Sequence, residues 1–129
     1  METPFVNDLF SITYMAFKNI CPNKNVRIQW NTEIEPIDGE QLSGITRFAK
    51  DGTIIDIEVL ANQSVAEACE TLTHELAHAI VGPIQEHGKE FQDAYDALVK
   101  EYIRILDEKF TDCITLEVSV PEETNQDPA

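Results

Sequence analysis

Basic residues are scarce in this chain: nine Lys and Arg stand against 24 Asp and Glu, for a formal charge of -15 and an isoelectric point near 4.3. A chain so acidic repels phosphate backbones and anionic lipid, so direct nucleic-acid binding is not expected. Long apolar runs are missing too; none approaches the roughly 20 residues that a membrane span requires. Near the N-terminus Glu2 and Asp8 stand where a secretory signal peptide carries Lys or Arg, so the expected compartment is the cytoplasm. Cysteine is sparse. Cys21, Cys69 and Cys113 are odd in number and far apart, and no Cys-x-x-Cys pair occurs. That pattern argues against a disulfide framework and against a thiolate zinc ribbon, leaving reduced, mostly buried thiols. Histidine occurs only three times.

What remains is the composition of a folded domain. Of 129 residues, 43% are hydrophobic and 26% charged, which suffices for one core and not for two. Residues 1–120 are expected to form that single domain, and 121–129 a polar, acidic tail too poor in apolar groups to order itself. Thr3-Pro4 reads as a cap and first-turn pair opening a helix to Ile20, with Phe5, Leu9, Ile12, Met15, Ala16 and Ile20 at three- and four-residue intervals. After Cys21-Pro22-Asn23, Val26, Ile28 and Trp30 alternate with polar residues as in a half-buried strand. Ile45 to Lys50 and Thr53 to Leu60 flank Asp51-Gly52, which suits a tight hairpin. Ser64 caps a central helix from Val65 to Val81, stopped by Gly82-Pro83. A last helix runs from His87 or Gly88 to about Lys109 along Phe91, Tyr95, Leu98, Tyr102, Ile105 and Leu106, and Thr111 to Val120 reads as one more strand. The order implies an α+β domain with helices packed on a small sheet.

All three histidines lie between positions 74 and 87, and His74-Glu75-Leu76-Ala77-His78 is an HExxH sequence inside the central helix. Four residues of helix place His74 and His78 about 40° apart around the axis, so both imidazoles can reach one ion. Val65, Cys69, Leu72, Leu76 and Ile80 gather on the opposite side, so one face packs and the other is left for chemistry. Catalytic zinc sites take three protein ligands plus water, and His87, returned toward the helix by Gly82-Pro83, is the natural third. Glu86 and Glu90 are the substitutes, since carboxylates also bind zinc. Glu75, at the rim of the same face, can take a proton from the zinc-polarised water and return it to a leaving amine. One zinc per chain and peptide-bond hydrolysis are the expected cofactor and reaction. Phe91, Tyr95 and Tyr102 fall on the apolar stripe and are assigned to the core. Tyr95, Tyr102 and Lys89 are conceivable oxyanion stabilisers, none of them assigned.

The run Glu70-Thr71-Leu72-Thr73-His74-Glu75-Leu76-Ala77-His78-Ala79, followed by His87-Gly88-Lys89-Glu90-Phe91, resembles the SprT-like (Spartan-type) zinc metalloproteases, whose pattern is HExxH and a downstream His-Gly-x-x-Phe. Ile55 to Val59 occupies the place of the strand preceding the active-site helix there, and the likeness spans about residues 26 to 107. The resemblance implies a zincin-like domain with a small, mainly antiparallel sheet against the active-site helix. It places zinc on His74, His78 and His87, with Glu75 as general base. It also implies a substrate strand along the edge formed by Thr53 to Leu60, a close turn at Gly88 and an anchor for the last helix at Phe91. Many relatives add a cysteine ribbon and act on DNA-associated proteins; only Cys113 follows the catalytic region here, so DNA-directed proteolysis does not carry over. The expected partners are a protein or peptide substrate and, given the charge, a basic protein. A second class of function is a non-catalytic zincin-fold protein whose acidic surface engages a basic or nucleic-acid-binding partner, and a third is a purely structural zinc site.

Overall fold

The first two helices begin where a side chain supplies the acceptor that the amides of a first turn lack. The computed structural model describes residues 8–83 and 87–118, with 110–118 as backbone alone. In it Asp8 accepts hydrogen bonds from the Ser11 amide at 2.9 Å and the Ser11 hydroxyl at 3.0 Å. Helix α1 therefore runs Leu9–Ile20, later than the Thr3-Pro4 start read from sequence, and those two residues lie outside the described ones. Ile12, Ala16 and Phe17 sink into the core.

Three strands follow: β1 (Val26–Asn31), β2 (Gly44–Phe48) and β3 (Ile55–Leu60). Their order is β1-β3-β2, with β1 parallel and β2 antiparallel to β3. The sheet is thus mixed, which corrects the expected mainly antiparallel one. Alternation decides which face of a strand is apolar but not which strand lies beside it or in which direction. Ile55, Ile57 and Val59 alternate inward on β3 and are buried, as the most apolar strand in the middle of a sheet should be. The β2–β3 hairpin forms as expected, but not through a two-residue turn at Asp51-Gly52. Ala49 N–H donates to the Ile54 carbonyl at 3.1 Å and Gly52 N–H to the Ala49 carbonyl at 3.0 Å. Only Gly52 of the dipeptide takes positive φ, 75°, so the loop spans Lys50 to Thr53 around a turn of ordinary hand.

Helix α2 (Val65–Val81) has the predicted bounds. Ser64 accepts from Glu67 N–H while the Glu67 carboxylate accepts from Ser64 N–H, both at 3.1 Å, a reciprocal capping box. Helix α3 (Lys89–Val118) continues through the segment expected to be a strand. Extending a nucleated helix gives each new residue a backbone partner at once, whereas a strand must find a sheet edge; the alternation in 111–118 did not outweigh that. The sheet carries no fourth strand among the described residues. The proposed tail, 121–129, lies outside them. Helix α2 packs on the inward face of the sheet, and α1 and α3 pack against α2 and each other, with Leu72 and Leu76 of α2 and Leu98 and Ile105 of α3 among the core residues. No described helix is long and apolar enough to cross a membrane.

Candidate metal centre

The second half of α2 is enclosed on more sides than its apolar stripe implied. Leu76, Ala77 and Ala79 are fully buried, and so, nearly, are Glu75 at 7% and His78 at 8% exposure. Val65, expected among the packed residues, is exposed instead, because Ser64 to Glu67 stand clear of the core as a free-standing capped turn. The other end is tied down. Gly82 N–H donates to the His78 carbonyl at 2.9 Å, and the Lys24 ammonium reaches the Ala79 and Ile80 carbonyls at 2.9 and 3.0 Å. Carbonyls that a helix end leaves without partners are thereby satisfied, and the turn bearing His78 is fixed.

One ring nitrogen from each of His74, His78 and His87 lies within 4.8 Å of the others. The Nε2 atoms of His78 and His87 are 3.1 Å apart. Two nitrogens bound tetrahedrally to one ion at 2.0 to 2.1 Å would be separated by about 3.3 Å, so the pair is spaced as ligands of a common cation. Phe91 of α3 packs obliquely against all three rings, with centroids 4.9, 4.7 and 4.8 Å from those of His74, His78 and His87. Burial, with repulsion from the neighbouring rings, lowers the His78 pKa to about 4, and burial followed by the His87 charge lowers that of His74. Both are then neutral near pH 7, the form a metal requires. Among the described residues His78 Nδ1 is buried without a partner, so the nitrogen facing His87 carries that ring's interactions. The donor set fits a divalent, nitrogen-preferring ion such as zinc.

Glu75, next to His74 on α2, reaches the sheet. The Thr46 hydroxyl of β2 is 2.7 Å from Glu75 Oε1 and 3.1 Å from the Glu75 carbonyl. Burial pushes the Glu75 carboxyl above its ordinary pKa, and the Thr46 hydrogen bond pulls it back down. Glu75 and His74 line an open cleft of about 570 Å³ with Gln41 to Gly44, Glu70, Thr71 and Tyr95. Among the described residues no Lys or Arg lines it.

The model of the SprT-like family matches residues 6–111. This chain belongs to the SprT-like family. No curated protein and no solved structure matches it. Within this SprT-like chain the three predicted ligands come together and Glu75 sits beside them. Glu90, the alternative ligand, is exposed and outside the cluster, and Glu86 lies outside the described residues. Phe91 is core, as expected, and also backs the histidines; Tyr95, assigned to the core, is half-buried and reaches the cleft. Gly88 has no close-approach role: a methyl group there would meet no described atom within 4 Å. Cys21 and Cys69 are free thiols, half-buried rather than buried.

Two residues of this SprT-like site escaped sequence reasoning, Gly44 and Thr46. A Cβ on Gly44 would lie 2.6 Å from Thr71 Cγ2 and 3.1 Å from Glu75 Cγ, so only glycine lets β2 approach α2 this closely. The one available signal was the interruption of an apolar alternation by Gly44 and Thr46 on the side that Phe48 also faces.

Proposed function

We propose that this SprT-like chain is a zinc-dependent metallopeptidase in which His74, His78 and His87 hold one zinc and Glu75 is the general base. The observation that carries this reading is the convergence of three imidazoles within 4.8 Å beside a nearly buried carboxylate on the same helix. Zinc bound there would polarise a water and the scissile carbonyl, bringing the water's pKa toward 7. Glu75 would accept the proton of the attacking water and return it to the departing amine, so the same oxygen serves as base and then acid. Phe91 would keep the ligand rings apart from bulk solvent on one side.

The substrate edge moves from the place first expected. Thr53 to Leu60 cannot receive a further strand along Ile55–Leu60, because β3 is paired on both sides. The open edge beside the cleft belongs to β2, whose first residue, Gly44, lines it. An extended peptide would add there through backbone hydrogen bonds. We place the substrate among proteins or peptides, and the zincin-like arrangement of helix and edge strand is part of the same proposal.

Zinc content and cleavage of an unstructured protein test the reading together. Purified protein should hold one zinc, and Glu75→Gln should keep it while kcat falls about 10²- to 10⁴-fold. Unchanged turnover in Glu75→Gln would remove the assigned base. His87→Ala should release zinc, whereas Glu90→Ala should not. The acidic surplus supports a second reading, a binding protein for a basic partner, because Arg27, Arg47, Arg104 and Lys89 are already paired with carboxylates. Retention of one basic partner by Glu75→Gln and by zinc-stripped protein, with no cleavage by wild type, would favour it.

A further inference from the structure

The inward side of β2 reads Gly44, Thr46, Phe48, and these pair across the sheet with Val59, Ile57 and Ile55. Five of the six are apolar or lack a side chain, and the sixth, Thr46, presents a hydroxyl to the helix layer. A hydroxyl in such a place needs a partner, and the one it finds is Glu75: its single proton goes to Oε1 at 2.7 Å, with the main-chain carbonyl of the same residue a longer second acceptor at 3.1 Å. Gly44, one inward position earlier, supplies the room: any Cβ there would collide with Thr71 and crowd Glu75 Cγ. Small residue and hydroxyl thus act on the same acid from one strand.

We propose that Thr46 is a positioning residue for the reaction, holding Glu75 Oε1 so that Oε2 is left to face the water. The proposal rests on the metallopeptidase reading for its catalytic consequence, but the hold itself is a property of the protein without metal. A glutamate side chain has three rotatable bonds, and burial alone does not choose among their settings. One hydrogen bond from a rigid, β-branched neighbour on the sheet removes most of that freedom. Because Thr46 stands on the edge strand proposed to receive substrate, the strand that aligns the peptide also aligns the base. Misplacing a catalytic group by about 1 Å is enough to cost about 100-fold in rate.

The test compares Thr46→Val, which keeps the branched shape and removes the donor, with Thr46→Ser, which keeps the donor. With zinc bound, Thr46→Val should lower kcat about 10- to 100-fold at unchanged KM and zinc content, and Thr46→Ser should recover most of it. In the Glu75→Gln background Thr46→Val should cost no further activity. A second readout uses metal-free protein with 13C-labelled glutamate, the Glu75 carboxyl resonance being assigned by its loss in Glu75→Gln. Thr46→Val should move that resonance and Thr46→Ser should leave it near its wild-type position. Equal kcat in wild type and Thr46→Val, an equal fall in both variants, or a resonance indifferent to Thr46→Val would each overturn the proposal. Should wild type cleave nothing, the metallopeptidase reading fails, and the resonance still decides whether Thr46 holds Glu75.

Discussion

The two faces of the sheet use the same chemical groups to different ends. On the outer face Arg27 pairs with Asp56 at 2.7 Å, and Arg47 pairs with Glu58, which also accepts from Asn31 at 3.0 Å. Arg27, Asp56 and Arg47 stand in register across all three strands. Both arginine side chains remain more than half exposed, so water screens these pairs and competes for each partner. On the inner face a single hydroxyl meets a single carboxylate, but Glu75 is 7% exposed and has lost most of the water that would otherwise solvate it. The outer network keeps the sheet wetted and discourages further stacking; the inner contact settles where one reactive group points. Burial, more than the number of contacts, separates the two roles.

The contrast can be tested by substitution on each face. The largest effect belongs to the apolar ground on which the inner contact stands: Ile57→Ala, at a fully buried position, should cost about 2–5 kcal/mol of stability by urea unfolding. Gly44→Ala should follow at about 1–3 kcal/mol, since the added methyl forces β2 from α2, and it should disturb Glu75 as well. Acid should act next, through the histidines of α2 that adjoin Glu75. In metal-free protein the folded His78 titrates at about 4 and His74 below the ordinary 6.5, so the unfolded chain binds protons first. Stability should be complete above pH 6.5, fall as pH drops toward 4, and show no further loss from His78 below that; urea midpoints taken in chelator across this range measure it. Least of all, Arg27→Gln should leave the urea midpoint where it was. A cost for Arg27→Gln matching that of Gly44→Ala would erase the distinction between the faces.

Much of the site was legible because it is local. Ser64, Glu67 and Gly82 bound α2 by interactions within a turn or two of sequence, and the helix then separates His74 from His78 by its own geometry. His87 required only that the chain turn back within nine residues. The failures involve partners distant in sequence. The direction of β1 beside β3, the central place of β3, and therefore the location of the open edge depend on residues some thirty positions apart. Thr111 to Val118 alternates like a strand and is helical in the structure, because a pattern does not supply an edge to pair with. Thr46 looked like any polar residue of a hairpin until α2 lay over it.

The amino-acid order alone therefore determined that one helix would carry two imidazoles and an acid on neighbouring positions, since 3.6 residues per turn leaves no other outcome. It determined the acidic surface as well, because net charge does not depend on folding. Only the tertiary structure brought Phe91 against the three histidines and placed β2 at the edge with Gly44 and Thr46 beneath Glu75. The physical reason is that helical spacing is fixed by bonds between near neighbours, whereas the approach of a strand to a helix is settled by which distant side chains can be buried together.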